Sequence, residues 1–145
     1  MVTVMGGESD KDDLYIAPTL ITDVKNVDAI MEDEIFGPIL PIVTVDDLDG
    51  ATDYINAKEK LLVIYAFTTN KQVQKMLSTR TSPGGFIVND VLVQFDVLTL
   101  PFGGVGHSGQ GAYHGKFGFD TFSHKKACYI TTSITEPLMS YVLYM

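Results

Sequence analysis

Several residues in this chain are of types and spacings that do chemistry. Glu32, Asp33 and Glu34 stand immediately before Ile35-Phe36-Gly37-Pro38. A carboxylate presented at a loop can accept hydrogen bonds from two ribose hydroxyls, and a ring two residues on can pack its face against the sugar. Glu34 and Phe36 have that spacing. The same acids also read as the solvated end of a short helix. His107, His114, His124 and the single cysteine, Cys128, are the imidazole and thiol groups of the chain. His124 and Cys128 lie four apart, a spacing that suits metal ligands on a helix, but their segment reads as extended, where helical spacing does not apply. No metal site is expected. A nucleophilic cysteine needs a helix N-terminus or a paired base to activate it. Cys128 falls in an expected strand near the C-terminus and reads as a structural thiol, so no catalytic residue is assigned. Gly104-Val105-Gly106-His107-Ser108-Gly109 matches the G-x-G-x-x-G pattern. It follows Pro101-Phe102 and nothing resembling a βαβ unit comes after it, so it reads as a tight loop rather than a dinucleotide cradle.

The elements that must position these residues are legible from periodicity. Gly6 to Asp13 is polar and reads as a loop. Leu14 to Ile21 is apolar and partly β-branched, a strand that Pro18 confines to an edge or a bulge. Val27 to Glu34 reads as a short helix capped by Asp28. Ile39 to Val45 is a strand. Leu48, Ala51 and Ile55 recur at helical spacing and predict an amphipathic helix over 47–58. Leu61 to Thr68 is a near-continuous apolar run, as in a strand buried on both faces. Asn70 caps a helix whose inner stripe is Val73, Met76 and Leu77, ended by Ser82-Pro83-Gly84-Gly85. Phe86-Ile87-Val88 is a further buried strand. The order β-α-β-α-β predicts an α/β fold with one parallel sheet. Gly103 to Gly118 is glycine-rich, and Lys125 to Thr132 reads as a strand without a hairpin partner.

Composition bounds the function. The 145 residues are 46% hydrophobic and carry a net charge of −8. Disorder is excluded by the first figure, and nucleic-acid binding is disfavoured by the second. One cysteine permits no internal disulfide. Met1 to Gly7 has no cationic segment followed by an apolar run, and Pro137 to Met145 is shorter than the roughly 20 residues a bilayer needs. These features predict a cytoplasmic chain with no membrane span.

Three segments together carry a resemblance. Glu34-Ile35-Phe36-Gly37-Pro38 resembles the E-x-F-G-P motif of the aldehyde dehydrogenases, and Pro101-Phe102-Gly103-Gly104 resembles their P-F-G-G segment. Gly111-Ala112-Tyr113-His114-Gly115-Lys116-Phe117, with Phe119-Asp120-Thr121-Phe122-Ser123-His124, is similar to the tail of the class 3 branch, which includes the fatty-aldehyde enzymes. Tyr15 to Thr19 and Gly84 to Asp90 fit the same family in the same order.

The resemblance implies the C-terminal portion of an NAD(P)-dependent aldehyde dehydrogenase, which oxidises aldehydes to carboxylic acids. It implies that Glu34 bonds the nicotinamide ribose hydroxyls and that Phe36 packs beside that ribose. Phe102 then borders the aldehyde tunnel, Asn89 braces the active-site loops with Gly103 and Gly104 in support, and 91–99 lines the substrate side. Residues 1–123 become a partial catalytic domain, 124–133 an oligomerisation strand that makes a homo-oligomer such as a dimer, and 134–145 an apolar tail. In this family the nucleophilic cysteine, the general base and the phosphate-binding segment precede E-x-F-G-P, and no cysteine stands before Glu34 here. Leu61 replaces the proline common before the apolar strand. A second function of a different class is a non-catalytic module that pairs its last strand with an intact subunit. The expected outcome for the purified 145 residues with NAD or NADP and benzaldehyde or a medium-chain aldehyde is no turnover; turnover abolished by Glu34→Gln overturns it.

Overall fold

The structure, a computed structural model, describes residues 1–130. β1 (Val2–Met5) is followed by a small hairpin of β2 (Ser9–Asp10) and β3 (Tyr15–Ile16), then by β4 (Thr19–Thr22). The polar loop expected over 6–13 thus contains the hairpin, whose turn is closed by Asp10 Oδ1 accepting from the backbone N–H groups of Asp12 and Asp13 at 2.9 and 3.2 Å. The apolar run expected as one strand over 14–21 is split by Pro18. Proline has no N–H to give to a ladder, so pairing resumes only at Thr19, whose N–H donates to Pro38 O at 2.8 Å. Buried Thr19 secures the restart, its Oγ1 donating to Ala17 O at 2.7 Å and accepting from Gly7 N–H at 3.0 Å. β4 lies between β1, to which it is antiparallel, and β5 (Ile39–Pro41), to which it is parallel.

The helix expected over 27–34 shrinks to one 3-10 turn, Ala29–Met31. Asp28 does not cap it. Its Oδ2 instead accepts from Lys25 N–H at 2.7 Å, and that local turn competes with helix growth.

Beyond β5 the caps read from the sequence do their expected work. Asp47 accepts from Gly50 N–H at 2.7 Å and starts α1 (Leu48–Asn56). Asn70 accepts from the N–H groups of Gln72 and Val73 and starts α2 (Lys71–Arg80). Between the helices lies β6 (Val63–Ala66), and after α2 comes β7 (Gly85–Val88). These two pair in parallel from Val63 opposite Gly85 to Ala66 opposite Val88, and α2 is the crossover that a parallel pair requires. Asn56 Nδ2 donates to Arg80 O at 2.9 Å and Arg80 pairs with Asp49, which ties α1 to α2.

The expected single parallel sheet is corrected. The order β5-α1-β6-α2-β7 is present, but β5 belongs to the β1-β4-β5 sheet and β6-β7 forms a separate pair among the described residues. Alternation sets element types and order, not lateral neighbours, and Pro41 at the end of β5 cannot donate to a further strand. The expected terminal strand is corrected in part: residues 124–130 form no strand, since an edge segment needs a partner's ladder to satisfy its backbone. Residues 131–133 of that strand and the apolar tail 134–145 lie outside the described residues. The glycine-rich segment contains a short helix the periodicity did not predict, α3 (Gly115–Thr121), on which Lys116 pairs with Asp120. That hydrogen bond holds the Asp120 carboxyl below the ordinary aspartate range.

The buried apolar side chains are Ala17, Val24, Ala66 and Leu77, whereas Phe36, Phe67, Phe119 and Phe122 are exposed. So much uncovered aromatic surface exceeds what a soluble monomer ordinarily presents. The 145-residue chain should therefore self-associate at micromolar concentration in light scattering, and a clean monomer there would count against this.

Candidate functional site

A cleft of about 170 Å³ opens where the entrance of β7 meets the segment 100–103. It is lined by Val63, Gly84 to Ile87, Gln94 and Leu100 to Gly103. Phe102 is held in this wall from two sides. Its backbone forms an antiparallel bridge with Tyr113, with Tyr113 N–H donating to Phe102 O at 2.6 Å. Its ring meets Phe95 edge-on at 5.4 Å and lies 6.0 Å from the His114 ring. Aromatic pairs at such spacings add to plain area burial. His114 is only 4% exposed and its Nδ1–H donates to Leu100 O at 3.0 Å. It is a packed structural histidine with a left-handed backbone (φ 83°).

Glycines let the backbones approach. A Cβ on Gly84 would overlap the Gly103 carbonyl, and one on Gly104 would overlap the carbonyl of Ser108. The segment Gly104 to Gly109 is a tight loop: Ser108 Oγ accepts from Val105 N–H at 2.9 Å and donates to Val105 O at 3.0 Å around a 3-10 turn, Gly106–Ser108. A helix of that length gives no phosphate site. His107 lies 3.4 Å from Glu59 on the surface, and among the described residues no group of three His, Cys, Asp or Glu side chains converges to hold a metal ion.

Asn89 follows β7 with φ 59°, a conformation asparagine tolerates better than most residues. Its Oδ1 accepts from Thr68 N–H at 2.8 Å and its Nδ2 donates to Thr68 O at 3.1 Å. One side chain thereby clamps the loop leaving β6 to the loop leaving β7, at the carboxyl ends of two parallel strands, where α/β sheets place their ligands.

Glu34 and Phe36 stand apart from that cleft and do not line it. The Phe36 ring is 90% exposed on a backbone with φ 39°, which for a bulky residue costs about 1–3 kcal/mol. The carboxylate of Glu34 is exposed, and among the described residues no donor reaches it. The 35–37 turn thus presents a free acceptor and a free ring face on one short stretch. These are the features the ribose of a nicotinamide cofactor requires of a protein, so the residues present fit that group.

The sequence pattern of the aldehyde dehydrogenase family matches residues 1–128. The chain belongs to the aldehyde dehydrogenase family. It is 53% identical over 134 residues to human aldehyde dehydrogenase family 3 member B1, covering 92% of this chain and 29% of that protein. The Bos taurus family 3 member B1 is 57% identical over 125 residues, covering 86% of this chain and 27% of that protein. Among solved structures, Staphylococcus aureus AldH in a substrate-bound state superposes with a TM-score of 0.82 at 42% identity, covering 96% of this chain and 31% of that one. The NAD-dependent aldehyde dehydrogenase of Sinorhizobium meliloti superposes with a TM-score of 0.82 at 32% identity, covering 94% of this chain and 27% of that one. The chain therefore spans less than a third of the length of these relatives, and its fold is the mixed α/β fold of the family.

In this member of the aldehyde dehydrogenase family, Phe102, Gly103 and the β7 entrance come together, while Glu34 and Phe36 lie on the segment before β5. Sequence reasoning missed Gln94 as a member of the wall and Phe95 as a ring packed on Phe102, and it read His114 as a candidate ligand and as part of the class 3-like tail. A polar residue within the apolar run Val91-Leu92-Val93 to Phe95 was the available signal for Gln94. The clamp yields a measurable expectation. Asn89→Ala should lower stability by about 1–3 kcal/mol in urea unfolding through the lost bonds to Thr68, and Asn89→Gly, which relieves the left-handed strain, should lose less.

Proposed function

We propose that this chain is the C-terminal portion of a class 3-type, NAD(P)-dependent aldehyde dehydrogenase, and that it supplies the nicotinamide-ribose contact and one wall of the aldehyde tunnel. The observation that carries the proposal is the unpartnered Glu34 carboxylate beside the bare Phe36 ring, on a strained turn within E-I-F-G-P. A strained, uncovered aromatic persists where something else gives it a partner. When bound, a nicotinamide group would supply the hydride acceptor for aldehyde oxidation. Glu34 accepts hydrogen bonds from the ribose hydroxyls, and Phe36 packs on the sugar and keeps water from its face. Phe102, held by Phe95 and His114, forms part of the tunnel for the aldehyde's apolar portion. Asn89 is a positioning residue that fixes the two loop exits, with Gly103 and Gly104 allowing close approach. No residue of this piece acts as nucleophile. Cys128 is exposed and lies in no helix or strand, so we assign the isolated chain no turnover. We assign a cytoplasmic setting from the sequence; among the described residues no helix is long and apolar enough to cross a membrane.

A second reading has its own support. Among the described residues the β6-β7 pair has two strands, and a two-stranded sheet is marginal alone. A non-catalytic module that docks on an intact aldehyde dehydrogenase subunit, or on its own copy as a homo-oligomer, would cover it. Co-purification with an intact class 3 enzyme tests this reading, which fails if the two stay separate.

A chimaera tests the first. With residues 6–130 replacing the corresponding segment of a full-length class 3 enzyme, aldehyde oxidation should persist. Glu34→Gln in that chimaera should raise the KM for NAD roughly 10-fold, the loss expected for weakening a charge-assisted hydrogen bond. An unchanged KM for NAD with unchanged kcat would sink the ribose assignment.

A further inference from the structure

The class 3-like segment, Gly111 to His124, supplies no lining residue to the cleft. It reaches the cleft wall through its backbone instead. Tyr113 N–H donates to Phe102 O at 2.6 Å, and Phe102 N–H donates to Tyr113 O at 3.3 Å. This bridge is a single residue pair outside any strand. With no ladder on either side to fix its register, its position depends on what anchors its ends. One end is held by His114, whose ring donates to Leu100 O. The other is held by Thr121, the last residue of α3. Thr121 Oγ1 accepts from Ala112 N–H at 3.1 Å. Its own proton serves Phe117 O at 2.8 Å or Ala112 O at 3.1 Å. A hydroxyl both accepts and donates, so one side chain can grip a loop and a helix together. The backbone closes in at the same place. A Cβ on Gly111, which has φ 75°, would collide with the Thr121 methyl, and a Cβ on Gly103 would overlap the Gly111 carbonyl.

We propose that Thr121 is a positioning residue for the aldehyde wall. Its hydroxyl fixes Ala112, the fixed Ala112 sets the Tyr113 bridge, and the bridge sets Phe102. Helix α3 thereby controls where the Phe102 ring stands without touching the cleft. Loss of the hydroxyl frees the Ala112 end of the bridge, while the His114 end keeps its bond to Leu100. Phe102 then shifts by pivoting, and small displacements of a positioning wall cost rate or affinity out of proportion to their size. The inference rests on the reading of Phe102 as a tunnel residue. It adds to that reading a reason for the class 3-like tail, which the ribose contact does not need.

Kinetics of the full-length chimaera test it. Thr121→Val keeps the side-chain shape and removes the hydroxyl. It should raise KM for a medium-chain aldehyde about five-fold, the factor one ordinary hydrogen bond is worth, and leave KM for NAD unchanged. Thr121→Ser, which restores the hydroxyl, should return the aldehyde KM to the parent value. An unchanged aldehyde KM in Thr121→Val, an equal rise in both KM values, or a serine variant as impaired as the valine one would overturn the proposal. Hydrogen–deuterium exchange mass spectrometry on the 145-residue chain gives a readout that needs no turnover. Thr121→Val should speed exchange across 111–114 several-fold and leave 85–89 at the parent rate. Unchanged exchange across 111–114, or equal acceleration in both segments, would also overturn it. A chimaera without aldehyde turnover counts against the proposed function itself, and the exchange experiment then decides on its own whether Thr121 anchors the bridge to Phe102.

Discussion

The arrangement around the cleft depends on one close approach, that of the backbone at Gly84 to the backbone at Gly103. No side chain fits between them. Because they touch, the start of β7 and the segment 100–104 form one surface, and Phe102 is brought beside Phe86 and Ile87. The same packing lets residues 102 and 113 bridge, which carries His114 into the aromatic cluster. Glycine is required here for what it lacks. A methyl on Gly84 would push these two pieces of chain apart, and one on Gly103 would push segment 100–104 away from the Gly111 carbonyl.

Strain is concentrated in the same region and in the turn before β5. Phe36, Asn89, Leu92 and His114 all adopt positive φ, as do Leu14 and Asp23 in the N-terminal part of the chain. Such backbones persist only where neighbours over-determine them. Asn89 has its clamp on Thr68, and His114 has the Leu100 carbonyl and three rings around it. Phe36 and Leu14, at 90% and 91% exposure, have no comparable packing around their side chains among the described residues.

Most of the large apolar side chains are exposed while the buried ones are few and mainly small. A domain that folds for itself does the reverse. The capped helices α1 and α2 and the parallel pair β6-β7 are locally well specified, yet the faces they offer remain open. Local structure and global burial are therefore decided by different parts of the sequence.

The sequence alone determined the local structure: Asp47 and Asn70 as caps, the apolar runs that became β6 and β7, Pro18 as a break in pairing, and the motifs that assign the family. Each depends on neighbours a few residues away, where side-chain hydrogen bonds and periodicity act directly. Tertiary structure alone decided that β5 and β6 lie in different sheets, that Asp28 closes a turn instead of capping a helix, and that His114 and Gln94 are buried in one wall. Those outcomes depend on contacts between residues distant in sequence, such as Gln94 with Tyr65 and Gly84 with Gly103. A one-dimensional pattern carries no record of which distant backbones will fit together once every polar group has to find a partner.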